Sequence, residues 1–235
     1  MITTILFDLD GTLLPMDQDI FLHSYLKRLA TYMAPYGYDP KQIVPSIIKG
    51  TGEMICNDGS RTNEEAFWTF FAGVYGEETL KDKPLFEEFY RTEFQKVADD
   101  CGHTPESGKL IKLLKENGFR LVLATNPLFP SIATESRMRW AGLDASDFEL
   151  YTTYENSSFC KPNPKYYQEI LNTIGCSAEE CVMVGNDVGD DMVAESIGMN
   201  VFLLTDCLIN KNNEDISRYP NGGFDALRDY LLTLK

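Results

Sequence analysis

Apolar residues along this chain fall into two kinds of run. Continuous runs at Ile2–Phe7, Arg120–Ala124, Phe148–Thr152, Cys181–Val184 and Val201–Leu204 have the length of strands and no polar alternation, as expected for strands buried on both faces of a parallel sheet. Elsewhere apolar positions recur at three and four. Leu110, Leu113 and Leu114 form such a stripe within residues 109–117, and Gly118 follows as a C′ residue. Asn163 and Pro164 have the chemistry of an N-cap and first helical position for a segment bearing Tyr167, Ile170, Leu171 and Ile174. Strand and helix then alternate from about residue 104 onward, which predicts a doubly wound α/β domain on a parallel sheet.

Residues 16–101 read differently. They contain no comparable strand run, but they carry helical stripes at Leu22, Tyr25, Leu26, Leu29 and Met33, at Phe67, Phe70, Phe71, Val74 and Tyr75, and at Phe86, Phe89, Tyr90, Phe94 and Val97. Lying between the first strand and the rest of the sheet, they are expected to form an inserted α-helical cap over one end of a core made of residues 1–15 and 102–235.

Composition narrows the partners. With 235 residues, 43% of them hydrophobic, the chain can bury a core without a metal or disulfide staple. Its formal net charge of −15, from 21 Lys and Arg against 36 Asp and Glu, repels nucleic acid and anionic lipid, so neither nucleic acid nor membrane is an expected partner. No apolar run reaches the length of a membrane span, and residues 1–14 lack a basic leader and are broken by Asp8 and Asp10. Cys56, Cys101, Cys160, Cys176, Cys181 and Cys207 show no Cys-x-x-Cys spacing and read as reduced thiols. The expected location is cytoplasmic.

Ligand crevices in open α/β sheets lie beyond the carboxyl ends of the strands. Asp8, Asp10, Gly11 and Thr12 follow the first run, Thr125 and Asn126 the second, and Gly185, Asn186, Asp187, Asp190 and Asp191 the fourth. Asp8 and Asp10 are two apart, so in extended chain they point the same way. Two carboxylates about 4 Å apart repel by about 4 kcal/mol at an effective dielectric near 20, which calls for a shared proton or a cation. An all-oxygen site of this kind suits Mg²⁺. Lys161, between Cys160 and Pro162 and ahead of the helix that Asn163 caps, is a fixed point charge for a phosphate. Asp190 reads as a solvated acid at a helix N-terminus. His23, Lys49, Thr51, Glu53 and Arg61, around a loop expected at Gly50 and Gly52, are candidates for facing the crevice from the helical segment.

Asp8-Leu9-Asp10-Gly11-Thr12-Leu13-Leu14 after an N-terminal strand, Thr125 closing the next, Lys161 ahead of a helix, and Gly185-Asn186-Asp187 through Asp191 together resemble the four motifs of the haloacid dehalogenase-like hydrolase superfamily. The resemblance spans nearly the whole chain and implies a Rossmann-like core with a helical cap. It implies a Mg²⁺-dependent phosphatase acting on a small phosphate monoester, with Asp8 as nucleophile forming an aspartyl-phosphate and Asp10 as general acid and base. Thr125, Asn126 and Lys161 would bind the phosphate, Asp8, Asp10, Asn186 and Asp187 would supply metal ligands, and Asp191 would orient Lys161 or a metal-bound water. Many relatives have an acid directly after the glycine where this chain has Asn186, so either Asn186 or Asp187 is the ligand. A sugar phosphomutase of the same family, or a non-catalytic module binding phosphate or protein, are the alternatives; Asp10 argues against dehalogenation and against the binding module.

Overall fold

The computed structural model describes residues 1–102 and 104–234. His103 and Lys235 fall inside the expected core range but lie outside the described residues. The strands are β1 (Thr4–Phe7), β2 (Arg120–Leu123), β3 (Leu150–Tyr151), β4 (Cys181–Gly185), β5 (Asn200–Leu204) and β6 (Asn221–Gly222). Among the described residues they form one parallel sheet in the order β3-β2-β1-β4-β5-β6. That is a doubly wound, Rossmann-like order, with its direction reversing between β1 and β4. Phe7 pairs with Leu123 and Val184, so Asp8, Ala124 and Gly185 stand at one level, the next residue along each chain.

The long stretch after β1 is helical: α1 (Gln18–Met33), α2 (Pro40–Ile55), α3 (Asn63–Tyr75) and α4 (Lys83–Arg91), with 3₁₀ turns at Ala34–Tyr36, Glu77–Asp82 and Glu93–Asp100. The first three begin where side chains cap them. The Asp17 carboxylate accepts the Asp19 and Ile20 amides, and Thr62 and Glu65 form a reciprocal capping box at α3. Gly50 and Gly52 are not a loop but lie inside α2. A Cβ at Gly50 would stand 2.8 Å from the Phe67 ring, so the glycine lets α2 and α3 pack closely.

The remaining helices are α5 (Glu106–Glu116), α6 (Ser131–Trp140), α7 (Pro164–Ile174) and α8 (Phe224–Leu232). Asn163 caps α7, accepting the Lys165 amide, and Gly175 ends it in the left-handed conformation. One face of the sheet, through Leu6, Val122, Met183 and Leu203, packs on Tyr166, Tyr167 and Ile170 of α7. The other face, through Ile5, Phe7, Leu121, Leu123 and Val184, joins α5 and a cluster that continues without a break into Phe21, Tyr25, Phe71, Phe89 and Phe94 of the helical stretch. Among the described residues no helix is long and apolar enough to cross a membrane.

Candidate active site

A cavity of about 400 Å³ opens beyond the carboxyl ends of β1, β2 and β4, lined by Asp8, Asp10, Thr125, Asn126, Lys161, Asn186, Asp187, Asp190 and Asp191. It sits at the point where the sheet order reverses, where two diverging loops leave a crevice. The residues read from the four sequence motifs therefore reach one place.

Asp8 is 7% exposed. Its Oδ1 accepts from the Lys161 ammonium at 2.9 Å, and its Oδ2 from the Thr12 hydroxyl at 3.3 Å. The same ammonium donates to Asp191 Oδ1 at 2.6 Å, while Asp191 Oδ2 takes the Asp187 amide at 2.9 Å. Burial opposes a charged Lys161, but the Asp191 and Asp8 carboxylates outweigh it and hold its pKa well above the ordinary lysine range. Burial likewise pushes the Asp191 carboxyl up to about 7, against the pull of Lys161. Gly185 makes room for this arrangement, because a Cβ there would lie 2.1 Å from Asp191 Cγ.

Asp10 has a different environment. Arg137 on α6, its side chain 1% exposed, forms an ion pair with Asp10 Oδ2, stacks 4.4 Å from the Phe129 ring centroid and donates to the Ala133 carbonyl. Among the described residues Asp10 Oδ1 is buried without a partner. Burial raises the Asp10 pKa, Arg137 pulls it down and Asp8 pushes it up again, with the balance above the ordinary aspartate value. A carboxyl with one anchored and one unpaired oxygen and a raised pKa suits proton donation to a leaving group.

The loops are tied to one another. The Asn126 carbonyl oxygen accepts the Lys161 amide at 3.2 Å, and its amide donates to Asp190 at 3.4 Å. The Thr125 carbonyl is fixed by the Thr152 and Tyr166 hydroxyls at 2.6 and 2.8 Å. Gly11, at φ +85°, turns the chain where a Cβ would meet Asn186 at 2.4 Å. Asn186 Oδ1 accepts from Thr12 at 2.9 Å on the Asp8 side, whereas Asp187 Oδ1 turns to its own loop and accepts the Gly189 and Asp190 amides at 2.7 and 3.1 Å.

Two expectations are corrected here. Asp190 is not a solvated helix-end acid: it lines the cavity, and burial together with Asp187 raises its pKa. His23, Lys49, Glu53 and Arg61 are exposed and do not line the cavity, and Thr51 instead lines a neighbouring apolar one. Arg137, Gln18 and Lys211 were not foreseen. Gln18 donates to the Asp10 carbonyl at 3.4 Å and Lys211 lines the cavity; a capped helix start offered the only signal for Gln18, and nothing local marks the other two.

A family model described as haloacid dehalogenase-like hydrolase matches residues 2–198. The chain belongs to that family, and it is an enzyme of its phosphatase kind. It is 26% identical over 200 residues to the pyrophosphatase PpaX of Halalkalibacterium halodurans, covering 84% of this chain and 81% of the relative. It is 27% identical over 241 residues to a phosphoglycolate phosphatase of Colwellia psychrerythraea, covering 98% and 96%. Among solved structures, an HAD phosphatase from Thermococcus onnurineus superposes with a TM-score of 0.60 at 20% identity, covering 98% of both chains, which bears on the fold alone.

Proposed function

We propose that this protein hydrolyses a small-molecule phosphate monoester through an aspartyl-phosphate on Asp8, with residues 16–101 acting as a cap over the crevice. The observation that carries the reading is the Asp8 carboxylate, held by Lys161 and Thr12 within the same cavity as Asp10 and Thr125. Asp8 attacks phosphorus, and Asp10 protonates the departing alkoxide, then takes a proton from the attacking water. Lys161 and Thr125 offset charge on the transferring group, and Asp191 holds Lys161 in place. The relatives' activities support phosphate ester chemistry and leave the alcohol open.

The cavity's donors fit Mg²⁺. Six aspartates line it against two lysines, an excess of negative charge that an anionic substrate cannot enter unaided. Among the described residues no three Asp, Glu, His or Cys side chains form a ready cage, so the oxygen set would be Asp8, the Asp10 backbone carbonyl and Asn186, with the remainder from water and substrate. Asn186 is favoured over Asp187 because its amide oxygen lies beside Thr12 and Asp8, while Asp187 is engaged within its own loop. When bound, the ion neutralises charge between the carboxylate and the phosphate. Six free cysteines accord with a cytoplasmic setting.

Phosphate release from acetyl phosphate with Mg²⁺, with chelator, and with Asp8→Asn tests this. Turnover is expected only for the wild type with Mg²⁺; undiminished release by Asp8→Asn sinks the mechanism.

A further inference from the structure

A second cavity, of about 370 Å³, lies within the helical stretch between α1, α2 and α3. It adjoins the crevice: Leu22, Ile55, Leu128 and Phe129 line both spaces, so a group attached to a phosphate at Asp8 has only these side chains between it and the second cavity. Beyond them its wall is largely aromatic and aliphatic, including Ile47, Met54, Phe67, Trp68 and Phe86.

The polar groups on that wall already have partners, Glu87 in Arg91 at 3.1 Å. Lys83 pairs with Glu64 at 2.9 Å and sits 5.2 Å over the Trp68 ring; Tyr25 and Tyr90 share a hydrogen bond of 2.9 Å; Thr51 donates to the Ile47 carbonyl at 3.0 Å; the Trp68 indole donates to the Tyr154 hydroxyl at 3.4 Å. A carboxylate or second phosphate entering there would lose its hydration without gaining a free cation. An apolar group loses nothing comparable. The mouth is apolar too: Leu22, Ile48 and Ile55 are 44%, 54% and 43% exposed, although exposed large aliphatics on one patch are otherwise a liability. The volume is within the range of small-molecule sites.

We propose that the alcohol of the substrate is apolar, an extended alkyl or aryl group seated in this cavity, with its phosphate at Asp8. This rests on the phosphatase reading and extends it to a substrate class that neither glycolate nor pyrophosphate represents. Gly52 gives a direct handle. It lines the cavity, and a Cβ added there meets no atom within 4 Å, so a larger side chain would fill the space without displacing backbone.

The test is Mg²⁺-dependent phosphate release from n-alkyl phosphates running from ethyl to octyl, whose leaving groups are equally reactive, beside glycerol phosphate, phosphoglycolate and pyrophosphate. In the wild type kcat/KM is expected to rise with chain length, with octyl above ethyl by about tenfold or more, and above the polar esters. Gly52→Phe is expected to collapse the octyl-to-ethyl ratio toward one. Ile48→Asp, at an exposed position on α2, is expected to lower the same ratio and serves if the first variant does not fold. A flat chain-length profile, preference for the polar esters, or a ratio untouched in both variants overturns the inference. Failure to release phosphate from any of these esters and from acetyl phosphate overturns the phosphatase reading itself.

Discussion

Arg137 is the residue on which the site's electrostatics turn. A buried guanidinium paired with a buried carboxylate is worth little beside an apolar replacement of both, but removing one partner strands the other. Arg137→Met is therefore expected to lower stability by about 3 kcal/mol or more, read by denaturant unfolding. Combining it with Asp10→Asn should recover much of that loss, since no unpaired charge then remains; a strictly additive double variant would refute the coupling. The Asp8 and Asp10 pair was legible in the sequence because two carboxylates and a glycine follow an apolar strand contiguously. Arg137 was not. α6 reads Ser-Ile-Ala-Thr-Glu-Ser-Arg-Met-Arg-Trp, with Arg137 and Arg139 two apart, and only the packing of α6 against the crevice decides that the first is buried and the second exposed.

Among the elements, strands in the middle of the sheet were readable nearly to their ends, while of the rim strands one was read too long and the other not at all. β1, β2, β4 and β5 coincide closely with apolar runs, while the run at 148–152 pairs over only Leu150–Tyr151, and β6 is a two-residue Asn-Gly segment with no apolar pattern at all. Short rim strands draw on side-chain clamps instead. Arg120, opening β2, donates to Glu149 at 2.7 Å, ahead of β3, and to the Ile174 carbonyl at 2.6 Å at the end of α7. Its hydrogen bonds hold the Glu149 carboxyl below the usual glutamate range. A depressed folded value means this contribution is present above about pH 4.3 and fades as pH falls through that lower value. Arg120→Ala is expected to cost about 1 kcal/mol at neutral pH and less in acid, so urea midpoints of the two proteins should converge as pH is lowered.

At the scale of the molecule, the helical stretch is fastened to the loops after β2 and before α7 that line the crevice. Asn63, fully buried at the start of α3, donates through its amide to the Pro127 and Phe159 carbonyls at 3.3 Å each and accepts from Asn57 at 2.9 Å. The Asn63 and Glu64 amides add backbone bonds to Ser157 and Tyr154 at 2.9 and 2.8 Å. One amide thus joins the helices to the loops following β2 and preceding α7, and Asn63→Ala leaves buried carbonyls unpaired. The expected cost is about 1–3 kcal/mol, with a fall in kcat/KM that exceeds any fall in a surface control such as Lys112→Ala; normal thermal stability and turnover in Asn63→Ala would rule the clamp out. The sequence placed the helical stretch from its aromatic stripes, but nothing in a lone Asn signals a tertiary bond across more than sixty positions.

The apolar cluster running from the sheet face into the aromatic helices makes modular exchange costly. A chimera that imports the helical stretch of a relative must rebuild the apolar cluster that Phe7 and Leu123 share with Phe94, or it opens that cluster to water. With the alcohol seated as proposed, new specificity is expected to arise by graded changes along the apolar cavity rather than by exchange of the whole helical stretch.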